Sequence, residues 1–226
     1  CVDIIYHIDY TDNTVTGGFC GVNDCSFHAH GNGTIGHMVS TYAIRLYAWS
    51  AYAFCDDSLQ STMNGYFDVD SRFEWLDKII RPKLLELKTL QEKISFTEQV
   101  LLKRLADLRE NTVVNDTIQN ILINKGSLDI AKLAKKSFVS TRQLERLFHE
   151  YVGITPKKLS NLIRYQFLWR DILCEPDFDV LSAVYKFGYT DQSHLLREFK
   201  RYHSMDIHNA RIMAFKDVGN IQDVFV

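Results

Sequence analysis

Between Ser127 and Arg211 the chain repeats itself at an offset of about fifty-one residues. Ile130 aligns with Leu181, Lys135 with Lys186 and Phe138 with Tyr189. Ser140 then meets Asp191, Leu144 meets Leu195, Arg146 meets Arg197, Phe148 meets Phe199 and Tyr151 meets Tyr202. Such a repeat is one supersecondary unit used twice, and it constrains the architecture more than any single residue does. Each copy is predicted as a short helix, a tight turn and a second helix opened by a capping residue.

In the first copy Ser127 is placed as the cap of a helix through Ala131–Ala134 that breaks near Ser137. Ser140 opens the next helix, and Gln143 three residues on completes a capping box. Leu144, Leu147, Phe148 and Tyr151 follow the i, i+3, i+4, i+7 rule and are expected to face the core. Arg142, Glu145, Arg146 and His149 are left outside. In the second copy Gly188 ends the first helix, where a positive φ is cheap only for glycine. Asp191 caps the second helix, with Leu195, Phe199 and Tyr202 inward and Gln192, Ser193, His194, Arg197 and Arg201 outward. Core packing accounts for the repeated apolar stripe of any pair of helical hairpins. It does not account for the matched arginines, which suit a helix-turn-helix that reads DNA.

The stretch Ser140–Arg164, STRQLERLFHEYVGITPKKLSNLIR, and the stretch Phe187–Lys200, FGYTDQSHLLREFK, resemble the paired helix-turn-helix domain of AraC-type transcription regulators. The resemblance covers roughly the last hundred residues. It departs from the family pattern only at its end, where Ser204, Asp206, Ile207, Ala210 and Arg211 replace a glycine, a Ser/Thr-Pro pair and an aromatic before the final arginine. The last helix is therefore expected to be shorter or to start differently. More loosely, CVDIIYHI and IRLYAWSAYAF in the front part resemble a cupin-like domain that precedes the DNA module in some of these regulators, here without its opening strands.

Charge is distributed in the same sense. Residues 125–226 carry 16 Lys and Arg against 12 Asp and Glu, while residues 1–124 carry 10 against 16. A basic back half behind an acidic front half fits a nucleic-acid module joined to a part that does not touch DNA. The chain begins at Cys1 rather than Met, so its true N-terminus is expected to lie upstream. No signal peptide is evident. The five cysteines show no CxxC or zinc-finger spacing and are read as reduced thiols of a cytoplasmic protein.

From Cys1 to about Phe67 the texture is β-like, with runs at Val2–Ile8, Thr14–Phe19 and Thr41–Tyr47 separated by Asn- and Gly-rich punctuation. Met38–Cys55 is too interrupted to span a membrane and reads as a buried strand followed by a turn of helix. From Ser71 to Leu108 the period is helical. Thr89 with Glu92 makes a capping box, and Leu90, Ile94, Leu101, Leu105 and Leu108 form a stripe. That stripe either pairs two subunits, as the resemblance implies, or packs on its own β part. Asn111–Asp116 is the expected linker, and Thr155 with Pro156 starts the helix that connects the two copies.

His28, His30 and His37 form the one histidine cluster with metal-ligand character, since i, i+2 spacing puts His28 and His30 on one strand face. No obvious carboxylate accompanies them: the first Glu is Glu74, and Asp24 falls in a predicted turn. Loop and surface histidines are the plainer reading. The thiols lack the cationic surroundings of a nucleophile, and no Gly-rich phosphate loop is present.

These readings combine into an α+β chain: a β-rich cupin-like part over 1–70, a helical linker and dimerisation region over 71–110, and an all-α double helix-turn-helix DNA-binding domain over 117–226. The expected function is a sequence-specific transcription regulator, not an enzyme, with no cofactor. Arg142, Glu145 and Arg146 are expected to read bases from the first helix, and Gln192, Ser193, His194 and Arg197 from the second. Arg is the common bidentate partner of guanine and Gln of adenine, and Glu accepts from cytosine N4. Lys157, Lys158, Lys200 and Arg201 are expected on phosphates, which position the protein without specifying sequence. If one copy is structural, the second is the expected one. The resemblance implies double-stranded DNA, RNA polymerase, a small-molecule effector and a second copy of the chain as partners, with no membrane. The alternative is a haem or metal sensor using His28, His30 and His37, with the DNA module as its output.

Overall fold

The structure, a computed structural model, describes residues 1–25, 34–105 and 111–216. Two compact units emerge. The first comprises Cys1–Asn23, His28–Thr112 and Arg146–Ile154, and the second Asp24–Phe27, Val113–Glu145 and Thr155–Val226.

The first unit is built on an antiparallel sheet of β1 (Val2–Asp9), β2 (Thr14–Cys20), β3 (Val39–Leu46) and β4 (Tyr66–Asp68), in the order β3-β1-β2-β4. On the central strand Val2, Ile4, Tyr6 and Ile8 are all buried, so the period of two puts one fully apolar face on the core. Helix α1 (Asp70–Glu86) covers that face with Phe73, Leu76, Ile80 and Leu84, spaced three to four apart as a helical stripe must be. The Phe19 ring stacks on Phe67 at 5.3 Å and meets Phe73 edge-on at 5.1 Å. β3 is followed by a turn of 3-10 helix at Ala51–Phe54, the strand-then-turn expected for that region.

Helix α2 (Leu90–Leu105) starts at the expected capping box: Thr89 Oγ1 accepts from Glu92 N at 3.2 Å, and a Glu92 carboxylate oxygen accepts from Thr89 N at 2.9 Å. Its buried residues are Lys93 and Thr97 rather than its leucines. Tyr42 donates to Thr97 Oγ1 at 2.8 Å, and the Lys93 ammonium reaches the Tyr10 hydroxyl at 2.8 Å. Of the expected stripe Leu90 and Leu105 are exposed, at 65% and 43%, while Ile94 and Leu101 are half-buried. Leu108 lies outside the described residues.

In the second unit, helix α3 (Thr112–Ile123) takes up most of the expected linker Asn111–Asp116, because Val114, Ile118 and Ile121 supply a buried stripe. Helix α4 (Ile130–Lys136) is capped by Asp129, whose carboxylate accepts from Ala131 N and Lys132 N, and not by Ser127 as expected. The turn between them leaves Gly126 at φ 75°, where a Cβ would stand 2.1 Å from the Ser160 carbonyl oxygen; only glycine allows this approach. Helix α5 (Thr141–Tyr151) is divided between the units after Glu145, and α6 (Pro156–Cys174), α7 (Val180–Phe187), α8 (Gln192–His203) and α9 (Ile207–Lys216) belong to the second. Asp206 caps α9, accepting from Asn209 N at 2.9 Å, so the last helix does start on a different residue pattern.

Leu168, Trp169 and Ile172 of α6 close a core with Ala183, Val184, Phe187, Tyr189, Leu195, Phe199 and Ala210. Arg164, buried on α6, pairs with Glu198 of α8, its Nη2 donating to both carboxylate oxygens at 2.9 Å. Tyr189 donates to Glu198 at 2.9 Å, and the guanidinium lies 4.1 Å from the centre of its ring. All five cysteines are free thiols, and burial pushes that of Cys55 up to about 11. No helix among the described residues is long and apolar enough to cross a membrane.

Phe199 and Phe138 give opposite expectations for unfolding in urea. Phe199→Ala should cost about 3–5 kcal/mol, because the ring is buried against Trp169 and His203. Phe138→Ala should stay within about 0.5 kcal/mol, because that ring is 98% exposed.

Candidate nucleic-acid interface

Helix α5 begins where Ser140 Oγ accepts from Gln143 N at 3.1 Å, which satisfies one of the donors left free at any helix start. Leu144 and Phe148 are wholly buried, while Leu147 and Tyr151 are half-buried. This orientation leaves Arg142, Glu145 and Arg146 exposed, and their spacing of three and four puts them on one face. Glu150, farther along, accepts from Leu59 N at 3.1 Å through its carbonyl, and the Tyr151 ring lies 4.1 Å from that of Tyr52.

Helix α8 is built alike. Gly188 closes α7 with φ 67°, and the Asp191 carboxylate accepts from His194 N at 2.7 Å. Leu195 and Phe199 are buried and Tyr202 half-buried, so Gln192, Ser193, Arg197, Lys200 and Arg201 are exposed. His194 is only half exposed; its ring meets Tyr189 edge-on at 5.3 Å, and its Nε2 lies 3.9 Å from Glu198 Oε2. Arg201 is paired with Asp24. Among the described residues Arg142, Arg146, Arg197 and Lys200 enter no ion pair. Their charge is therefore presented to solvent. The start of α6 is set by Thr155, whose hydroxyl accepts from Lys158 N at 3.2 Å, with Pro156 in the first turn, Lys157 exposed and Lys158 half-buried.

Two helix-turn-helix copies with cationic outer faces therefore stand in one stretch of chain, and residues 133–211 match the family described as a helix-turn-helix domain. This stretch is a helix-turn-helix domain. With the antiparallel β part before it, the chain is of the α+β class. Two solved structures are similar in shape. A transcriptional regulator with an AraC-type DNA-binding domain from Chromobacterium violaceum is 19% identical, over 46% of this chain and 94% of its own, with a TM-score of 0.42. An apo Lys-to-Ala variant of ToxT from Vibrio cholerae is 10% identical, over 94% of this chain and 89% of its own, with a TM-score of 0.43. No curated protein matches the sequence.

Outside the helix-turn-helix domain, His37 has the carboxylate neighbours that sequence reasoning did not find. Its Nδ1 lies 2.7 Å from Asp9 Oδ2 and 3.6 Å from Asp12 Oδ2, and one ligand atom from each of the three residues falls within 4.8 Å of the others. The other Asp9 oxygen accepts from Thr11 N at 2.9 Å and Asp12 N at 3.1 Å, so this carboxylate also shapes the β1–β2 turn. No pattern could have shown the pairing, because 28 residues separate the partners. His28 and His30 lie outside the described residues.

The hydrogen bond with Asp9 raises the His37 imidazole above its ordinary 6.5, and the same bond lowers the Asp9 carboxyl below its ordinary 3.8. A raised folded-state pKa stabilises fully below the unfolded value and stops doing so as pH rises through the folded one; a lowered one acts in the opposite sense. The advantage of the native chain over His37→Gln should therefore be largest between these two ordinary values. It should fade both above the raised histidine pKa and at strongly acid pH. Melting temperatures of the two proteins across pH 3–9 provide the check.

Proposed function

We propose that this chain is a sequence-specific transcription regulator that sets α5 and α8 into successive major-groove segments of one DNA face. The observation that carries this reading is the pair of capped helices whose buried stripes leave Arg142 and Arg146 on one, and Arg197 with Lys200 on the other, exposed and outside any ion pair among the described residues. On α5, Arg142 and Arg146 read guanine edges and Glu145 accepts from cytosine. On α8, Gln192, Ser193 and Arg197 read bases, and His194 does so from the margin of the face. Lys157, Lys158, Lys200 and Arg201 hold phosphates. Two reading helices of this kind enter grooves about 34 Å apart, one helical turn of DNA. RNA polymerase and a small-molecule effector are the further partners in this reading, which rests there on the family match over residues 133–211.

Binding-site selection from random duplexes, followed by titration, tests the assignment. Arg142→Ala or Arg146→Ala should cost about 1–3 kcal/mol and relax preference in one half of the site. Gln192→Ala with His194→Ala should relax bases about ten pairs away and leave the first half intact. Lys200→Ala should weaken all sequences alike and lower the salt slope by about one. A footprint covering a single groove, or preferences that ignore these substitutions, would leave one copy with a structural role only.

The same regulator is proposed to be a homodimer through α2. That helix spends its polar residues Lys93 and Thr97 on its own unit and leaves Leu90, Leu102 and Leu105 exposed. Leu101→Glu with Leu105→Glu should give a folded monomer in sedimentation. Unfolding of that variant would instead mark the stripe as core, since an unpaired buried charge is costly.

A further inference from the structure

Lys158 stands in the first turn of α6 and Arg201 near the end of α8, yet both cations reach the same oxygen. Arg201 Nη2 donates to Asp24 Oδ2, and Lys158 Nζ lies 3.5 Å from that oxygen. The three groups are unequally exposed: the Asp24 side chain keeps 8% of its surface, while Arg201 keeps 53% and Lys158 44%. A covered carboxylate has lost most of its water, and two cations on separate helices compensate for that loss. The cations themselves still face solvent. Their spacing is fixed by the helices that carry them, through Thr155 at the start of α6 and through the buried stripe of α8.

A phosphate oxygen carries the same charge as a carboxylate oxygen and accepts from the same donors. We propose that Lys158 and Arg201 form one phosphate subsite of the DNA-binding face, and that Asp24 fills it when DNA is absent. The inference rests on the DNA-binding reading above and adds a competition to it. Duplex must displace the Asp24 carboxylate before a backbone phosphate can take its place. Asp24 is thus a built-in brake on affinity that acts on every sequence alike, because phosphates carry no sequence information. It also hides part of the salt dependence, since a phosphate whose partner cations were already neutralised brings less net counterion release.

The test needs no operator, only a mixed-sequence duplex of about 30 base pairs and the full chain, with affinity followed by anisotropy against salt. Asp24→Asn should bind about fivefold tighter than the native chain at about 0.1 M salt, with a slope steeper by about one. In a background of Lys158→Ala with Arg201→Ala the same substitution should change neither quantity. Asp24→Ser carries the comparison if the Asn variant melts early. An Asp24→Asn affinity equal to the native one would overturn the proposal. So would a gain that persists undiminished without Lys158 and Arg201, because it would then reflect overall charge alone. If folded native chain and variants all fail to bind duplex at low salt, the DNA-binding reading itself falls, which is a different result from a duplex-binding chain indifferent to Asp24.

Discussion

The buried pair of Arg164 and Glu198 joins the long helix α6 to α8, and the second half of the helix-turn-helix domain depends on it. Two opposite charges taken out of water gain little net stability, but removing one of them leaves the other stranded at a cost of about 3–5 kcal/mol. Such a contact therefore specifies an arrangement more than it strengthens it. Both oxygens of Glu198 accept from the guanidinium Nη2, the Tyr189 hydroxyl adds a second donor, and the tyrosine ring lies beneath the cation. Burial and the neighbouring carboxylate keep that phenol protonated far above neutral pH, so it remains a donor. With α8 held in this way, its exposed side chains take up fixed positions without being fastened themselves.

The two copies of the repeat meet this requirement differently. At the offset that aligns Arg146 with Arg197, Glu198 corresponds to Leu147, so the first copy has no acid for a counterpart of Arg164 to hold. Tyr189 corresponds to Phe138, which is almost fully exposed at φ 56°, whereas Tyr189 is buried. Arg201 corresponds to Glu150, whose carbonyl accepts from Leu59 N instead. The repeat preserved the apolar stripe and the outer arginine. It exchanged the residues that decide how each second helix is anchored.

Sequence periodicity made the repeat, the caps at Ser140, Thr155 and Asp191, the glycine stop at Gly188 and the first three strands legible, because each is encoded within a few residues. Strand β4 was missed: three residues are too short to show a period, and Tyr66–Asp68 is extended because Gly18–Cys20 is there to pair with. Asp129 took the cap expected of Ser127, which helical pattern alone did not distinguish two residues away. The stretch after Asn111 is polar and β-branched, which reads as a linker; the boundary between the two units does fall there, but burial of Val114 makes it the start of a helix. The direction of α2 was hidden for a similar reason. A lysine is an unexpected inward residue until Tyr10 and Tyr42 are found beside it. Of the interface, the outer faces could be read from spacing. The position of Asp24 on Arg201, 177 residues along the chain, could not.

Helices α5 and α8 also differ in polarity, a consequence of their caps. Every helix begins with a partial positive charge from its unpaired amides and ends with a partial negative one. Ser140 satisfies an amide of α5 with a neutral oxygen, so that end remains attractive to an anion. Asp191 does the same for α8 with a full negative charge, which cancels the attraction and reverses its sign. At its other end α8 carries Lys200 and Arg201, while burial lowers the His203 imidazole below its ordinary 6.5 and favours its neutral form. The attraction for an anion therefore lies at the front of α5 and at the rear of α8. An electrostatic sense of direction is written into two otherwise similar rods.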